Sequence, residues 1–567
     1  MKRNTLFLAG LLLAACSDAP KTGVDTIFVN AFAWTLEESA PIAEAIAVSG
    51  NEIVYVGDNE GALALAGKNT LQHDLTGNML LPGFIDTHMH PVGGGAYAKA
   101  LSLDTFGTVD DWIIAIKEYA SENSDSPLIF GYGWLSTTFG PAGPQRQMID
   151  SIVPDRPVLI MDEGFHGAWA NTRALEELNI TRNTADPTPG FSYYKRDESG
   201  DATGYLLEGT ASMAMQSLNV ITEDVVVDGT AHVIDTLNAY GVTSAFDAGA
   251  LGYEENLQQI LDRLEDAGDL TIRLLGSYRP TGPDDVDIAV ERAGEWRDTI
   301  KGDNYHYRFL KIMQDGTVEG RTAAMFEDYR GEPGNSGESI YSEEQMTKMV
   351  AGATGENIDV HIHALGERAV HEALNAIEVA RNEHPDSSTR YAVCHIQVIT
   401  DQDLPRFAEL DVIAQSTPLW ASYDTFGEQF VSEDQFQRFW RFNSLKKLGV
   451  RLTWGSDFPA SGAGMLGMSP IVQMEIGHTR QSPGEPDAPI QPRESERLDL
   501  ASLLRGYTID AAYQLHMEDQ IGSLAVGKRA DLVVLDRNLF EIDPYEIHQT
   551  RVLMTILDGE VVYAADE

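Results

Sequence analysis

The sequence predicts an α/β protein: a (β/α)8, TIM-like barrel, with a small β-sandwich domain formed by both termini and a long insertion after the first barrel strand. Three observations lead there. Eight short β-rich runs alternate with helix-like stretches, the pattern of a parallel sheet with crossover helices. Further β-rich runs lie at both ends of the chain, neither end long enough to close a core alone. The first two barrel runs are also separated by far more chain than one crossover helix requires.

The first twenty residues read as an export signal. Lys2 and Arg3 make a short basic start, and Leu6 to Ala15 form an apolar stretch that ends in small residues and is too short to span a bilayer. Leu13-Ala14-Ala15-Cys16 resembles the lipobox of bacterial lipoproteins. That resemblance implies a signal over residues 1–15, a lipid on Cys16 and a periplasmic or cell-surface location. No later segment is apolar enough to cross a membrane, so membrane contact is expected only through this anchor. Cys394 is the one other cysteine, and no disulfide is expected.

Strand-like runs over Thr26 to Leu36 and Ala45 to Gly57 follow, the second broken by the hairpin signal Ser49-Gly50-Asn51. Ala530 to Leu535 and Val552 to Leu557 are their counterparts at the far end, with Asp558-Gly559 turning the chain into Glu560-Val561-Val562-Tyr563. Residues 24–80 and 515–567 are therefore assigned to one composite β-domain, and residues 81–514 to the barrel. The barrel runs are Gly83 to Asp86, Val242 to Phe246, Ile272 to Tyr278, Tyr307 to Met313, Ile358 to His363, Tyr391 to His395, Val412 to Ser416 and Arg451 to Trp454. Before the second of them, Val233, Ile234, Leu237 and Tyr240 recur at helical spacing and Gly241 suits a helix C-cap. Most of residues 91–228 is left as an insertion, expected to shape a pocket at the barrel mouth.

With 40 Lys+Arg against 87 Asp+Glu, the formal charge is −47. Such a surface repels phosphate backbones and excludes nucleic acid as a partner. No phosphate-cradling Gly-x-x-x-x-Gly-Lys-[Ser/Thr] and no Gly-x-Ser-x-Gly nucleophile elbow occurs. Gly93-Gly94-Gly95 is read as letting backbone approach the site.

Asp86-Thr87-His88-Met89-His90 closes the first barrel run. Alternate strand residues point the same way, so His88 and His90 present two imidazoles to one side, donors that suit zinc and related ions. His361 and His363 close the fifth run, His395 the sixth and Asp457 the eighth. Structural explanations would need a separate reason for each polar strand end, whereas a metal centre needs one.

These segments resemble the amidohydrolase superfamily, in particular the branch of N-substituted formamide deformylases and exoenzyme-like amidohydrolases. The resemblance is carried by Leu81-Pro82-Gly83-Phe84-Ile85-Asp86-Thr87-His88-Met89-His90, His363-Ala364-Leu365-Gly366-Glu367-Arg368-Ala369, Gly455-Ser456-Asp457-Phe458-Pro459 and Gly522 to Asp531. Glu367 stands where this branch commonly has Asp. The resemblance implies a divalent metal, zinc foremost, as one or two ions held by His88, His90, His363, His395 and Asp457. Lys311 matches the lysine that becomes carboxylated and bridges two metals in many members, and a lysine inside an apolar strand is costly unless it gains a partner or loses its charge. His361 is placed in support of the ligands. Trp134 and His166 resemble insertion motifs of the branch and are candidate substrate contacts. Asp315 and Arg321, just after the fourth strand, are candidates by position.

The activity implied is hydrolysis of an amide-type C–N bond in a small molecule, an N-formyl or N-acyl amine. A metal-activated water attacks, with Asp457 as general base and then acid. A deaminase or cyclic amidase on the same barrel, and a non-catalytic lipid-tethered solute-binding protein, remain as alternatives. Homo-oligomerisation is left open.

Overall fold

Eight parallel strands form the central sheet: β1 (Phe84–Met89), β2 (Val242–Asp247), β3 (Arg273–Tyr278), β4 (Tyr305–Met313), β5 (Asp359–Ala364), β6 (Tyr391–His395), β7 (Val412–Ser416) and β8 (Leu452–Trp454). The computed structural model describes residues 23–566 except 105–106, 136–137, 140–141, 163–166, 188–191, 423–424 and 462. The expected signal, Cys16 and His166 lie outside the described residues. Each strand pairs with its neighbours in sequence from β1 to β8. The ring closes where the Asp457 N–H donates to the His88 carbonyl (2.7 Å) and the Thr87 hydroxyl to the Trp454 carbonyl (2.7 Å). This is the expected (β/α)8 barrel. Its strands are buried on both faces, as a helix-covered parallel sheet requires.

Register fixes which side chains share a level inside the barrel. Lys311 on β4 pairs with His361 on β5, Met313 with His363, and His363 with Cys394 on β6. The chain reaches β2 through the helix Glu223–Ala239, capped by the Thr222 side chain (3.2 Å to Val225 N). It buries Val233, Ile234 and Leu237, and Gly241 follows at φ 83°, the left-handed exit glycine permits.

Both termini build the flanking β-domain. One sheet is ordered Glu52–Gly57, Ala45–Ser49, Val24–Val29, Ala66–Asp74. The other is ordered Glu560–Ala564, Val552–Leu557, Leu532–Leu535, Met79–Pro82, Phe32–Trp34, Ile42–Ala43. Phe28, Ile46 and Val48 of the first pack on Leu80, Leu532 and Val534 of the second. At the turn joining the last two strands, Asp558 and Gly559 both have positive φ (51° and 82°), as a tight two-residue hairpin demands. Arg273 on β3 ties this domain to the barrel, donating to Asp531 (2.5 Å) and Asp558 (2.8 Å).

The segment between β1 and the helix Glu223–Ala239 carries its own six-stranded mixed sheet, ordered Tyr193–Arg196, Ala202–Leu207, Gly167–Ala170, Val158–Asp162, Ile129–Trp134, Leu101–Ser102. One of its cores gathers Leu159, Met161 and Leu206, and the other Trp112, Trp134 and Trp169. Gly95 has a packing role rather than the expected one beside the site. A Cβ on Gly229 would sit 1.8 Å from the Gly95 carbonyl oxygen, so the helix Pro91–Ala98 rides directly on Glu223–Ala239 only because both positions lack one.

Candidate metal centre

The C-terminal ends of the barrel strands bring the candidate ligands together. Asp86, His88 and His90 alternate along β1 and its exit. Asp86, the deepest, accepts from the N–H groups of His88 (3.0 Å) and Ser456 (3.1 Å) and so pins β1 to the end of β8. Burial pushes its carboxyl up to about 7. Nδ1 of His90 lies 2.8 Å from the Gly249 carbonyl, which can only accept. Nδ1 therefore donates there, and Nε2 is the ring nitrogen that faces Asp457.

Asp457 Oδ1 stands 3.3 Å from His88 Nε2 and 3.5 Å from His90 Nε2. The residue has φ 53°, which turns its side chain over the barrel axis just past β8. His395, with φ 74°, turns the same way at the end of β6. Its ring centroid lies 4.7 Å from that of His88 and 4.5 Å from that of His363. Ligand atoms of His88, His395 and Asp457 all fall within 4.8 Å of one another. Lys311 Nζ reaches to 3.3 Å from His88 Nε2, and burial pulls its amine below the ordinary lysine range. His90, His363 and Lys311 stand around this cluster, against Asp457, His395 and His88 respectively.

The residues fit a divalent cation. Burial holds His88 and His395 far below the usual imidazole range and His363 down at about 3, so these rings stay neutral, the form that ligates metal. His395 Nδ1 is buried and has no hydrogen-bond partner, a donor lone pair left for something else.

Above the cluster opens a cavity of about 750 Å³. His363, His395 and Asp457 form its floor, and Leu419, Trp420, Phe430, Trp440 and Ile476 make an apolar wall. Glu319 and Gln397 supply a polar edge, the Gln397 amide donating to the Glu319 carboxylate (2.6 Å). No Lys or Arg lines it among the described residues.

Three of the expected substrate contacts lie outside the cavity lining. Trp134 is wholly buried in the insertion, its indole N–H donating to the Ile160 carbonyl (2.8 Å) and its ring packed on Phe139, Trp169 and Tyr205. Asp315 is also fully buried. Its oxygens accept from the N–H groups of Ala324 (3.0 Å), Leu365 (3.0 Å) and Gly366 (2.8 Å), tying the loop after β4 to that after β5. Arg321 points outward to Glu332 (2.5 Å) and over the Phe430 ring (5.2 Å), outside the cavity lining. The cavity walls belong to segments after β4 to β8, and no described residue of the insertion contributes. His166 lies outside the described residues. Glu367, the departure from the family pattern, is buried against Arg438 (2.5 Å) and Gln435 (3.2 Å), away from the ligands.

Sequence reasoning missed Cys394 and the aromatic wall. Strand alternation sends Cys394 opposite to its neighbour His395, and only the left-handed turn at His395 lets both face the centre. The wall residues sit in long connections where no spacing marks them.

Residues 73–563 match the family described as the amidohydrolase family. The chain belongs to the amidohydrolase family. It is a metal-dependent hydrolase of carbon–nitrogen bonds, and its members use divalent ions. Among relatives, a putative amidohydrolase of Bacillus subtilis, YtcJ, is 26% identical over 550 residues, covering 95% of this chain and 99% of its own. An N-substituted formamide deformylase of Arthrobacter pascens is 26% identical over 555 residues, covering 95% and 98%. An uncharacterized metal-dependent hydrolase of Pyrococcus horikoshii has the same fold, with a TM-score of 0.71 at 24% identity over 92% of this chain and 99% of that one.

Proposed function

We propose that this amidohydrolase cleaves the amide C–N bond of N-formyl or N-acyl amines whose amine or acyl part is bulky and apolar, with zinc as the ion. One observation carries the reading: an aromatic-walled cavity stands directly over the Asp457 cluster, and no cationic side chain lines it among the described residues. A free substrate carboxylate finds no counter-charge there, whereas a neutral amide with an apolar substituent finds Trp420, Trp440 and Phe430.

A divalent ion, when bound, makes water acidic (pKa from about 16 toward about 7) and polarises a carbonyl. The chain's own residues do the rest. Asp457 Oδ1, at the cavity floor, accepts the proton of the attacking water and returns it to the departing amine nitrogen. His90 is held in one tautomer by the Gly249 carbonyl, and the aromatic wall keeps bulk water away. The similarity to the formamide deformylase supports the choice of bond.

The test compares an N-formyl arylalkylamine with an N-acyl amino acid of equal size. The expected result is a kcat/KM at least tenfold higher for the former, with amine as product. Preference for the amino acid, or release of ammonia, overturns the reading. We also propose lipid anchoring at Cys16, supported by the lipobox resemblance. Fatty-acid labelling that survives Cys16→Ser refutes it.

A further inference from the structure

We propose that His361 and Cys394, together with His88, form a second, thiolate-containing cation site beside the His88–His395–Asp457 centre. The proposal rests on the reading of the protein as metal-dependent, and adds a ligand set that reading does not use.

The geometry is set by register. His361 stands two residues before His363 on β5, level with Lys311 of β4. His361 Nε2 lies 2.8 Å from His88 Nδ1, while His88 Nε2 faces Asp457 (3.3 Å). One imidazole therefore directs its two nitrogens at two different groups of donors. Ligand atoms of His88, His361 and Cys394 lie within 4.8 Å of one another. A tetrahedral ion with bonds of about 2.0–2.3 Å spaces its donors about 3.3–3.7 Å apart, so small side-chain rotations bring the three to ligating distance.

Burial and chemistry agree. All three residues are essentially inaccessible. On one side the Phe246 ring lies 4.9 Å from His361 and packs in turn on Phe309. A barrel interior that served packing alone would be filled with branched aliphatic side chains, yet here His361 and Cys394 set a second imidazole and a sulfur beside His88. Imidazole with thiolate is a donor set for zinc and other thiophilic ions. The Cys394 thiol loses its proton to solvent as the ion binds, and where both centres are filled His88 also gives up its ring N–H proton to solvent and bridges them as imidazolate. Lys311 Nζ lies 3.3 Å from Sγ and donates to it. The competing account has His361 only fixing the His88 tautomer and Cys394 only filling space.

Cobalt(II) separates the two accounts without reference to turnover. Full-length protein, stripped and reloaded with cobalt under reducing conditions, is expected to show a thiolate-to-cobalt charge-transfer band in the near ultraviolet. The band is retained in Asp457→Asn and lost in Cys394→Ser, and it shifts in His361→Gln, with circular dichroism confirming folding. Cobalt bound by the wild-type protein without the band, or a band that persists in Cys394→Ser, overturns the second site and leaves the hydrolase reading standing. A wild-type protein that takes up no cobalt overturns both.

Discussion

The mouth of the barrel and the sheet inserted after β1 both bury tryptophans, but they leave their polar atoms in opposite conditions. In the insertion the indole N–H groups of Trp112, Trp134 and Trp169 donate to the carbonyls of Asp104 (2.7 Å), Ile160 (2.8 Å) and Gln145 (3.1 Å). Among its described residues, only Ser192 Oγ is a buried side-chain polar atom without a partner. Around the cavity, His395 Nδ1, Gln397 Oε1 and Trp440 Nε1 are all buried and unpartnered. Native interiors pair such atoms almost everywhere, and these three border the cavity, where an ion or a substrate can meet them. The insertion is complete in itself.

The largest effect expected from this contrast is at Asp457. Asp457→Asn keeps the side-chain shape but cannot accept the water's proton, and kcat should fall about 10²–10⁴-fold, the range that positioned acid–base groups supply. Metal content by elemental analysis should stay near that of the wild type; near-normal turnover would remove Asp457 from the chemistry. In the insertion the expected loss is in folding. Trp134→Ala empties a closed aromatic cluster and should cost about 3–5 kcal/mol in urea unfolding, with kcat/KM of the folded fraction within about twofold of wild type. The reverse pattern, lost turnover at unchanged stability, would put Trp134 at the substrate and dissolve the contrast.

The barrel was legible because its periodicities are strong. Each strand is a short β-rich run, and polar residues at several run ends have one economical explanation. Alternation put His88 and His90 on one side of their strand and Asp457 stood at the end of β8, and the family resemblance joined to these positions supplied the expected metal roles. What stayed hidden depends on long-range partners. Nothing local says that Asp315 gives both oxygens to the N–H groups of Ala324, Leu365 and Gly366, or that His361 meets His88 across the barrel. The insertion's sheet is mixed, its strand Gly167–Ala170 pairs with Ala202–Leu207 rather than with Tyr193–Arg196 next in sequence, and Leu101–Ser102 spans only two residues, so neither topology nor the burial of Trp134 could be read from spacing.

The histidine cluster also gives the two regions different pH responses in metal-free protein. Burial lowers His88, His361 and His395 well below the ordinary 6.5 and His363 to about 3. Below pH 6.5 the unfolded chain binds protons that the folded cluster refuses, so stability falls as pH drops and keeps falling toward the folded values. Each such histidine contributes a slope of about 1.4 kcal/mol per pH unit. Urea unfolding of chelator-stripped protein at pH 7, 6 and 5 should show this decline, shallower by about one proton in His363→Gln. The same slope in both proteins would mean that His363 is protonated in the fold.

Arg321 sharpens the contrast from its edge, because it touches the cavity only through Phe430. Its ion pair with Glu332 is exposed, and such pairs contribute about 0–1 kcal/mol. The contact over the Phe430 ring adds about 0.5–1 kcal/mol. Arg321→Ala should therefore lower stability by about 1 kcal/mol and shift KM for a neutral amide by less than about threefold, through a slightly freer Phe430, with kcat unchanged. A hundredfold fall in kcat/KM would mean that the guanidinium reaches the substrate. The cavity would then have a cation at its disposal, and the exclusion of carboxylate-bearing substrates would fall with it.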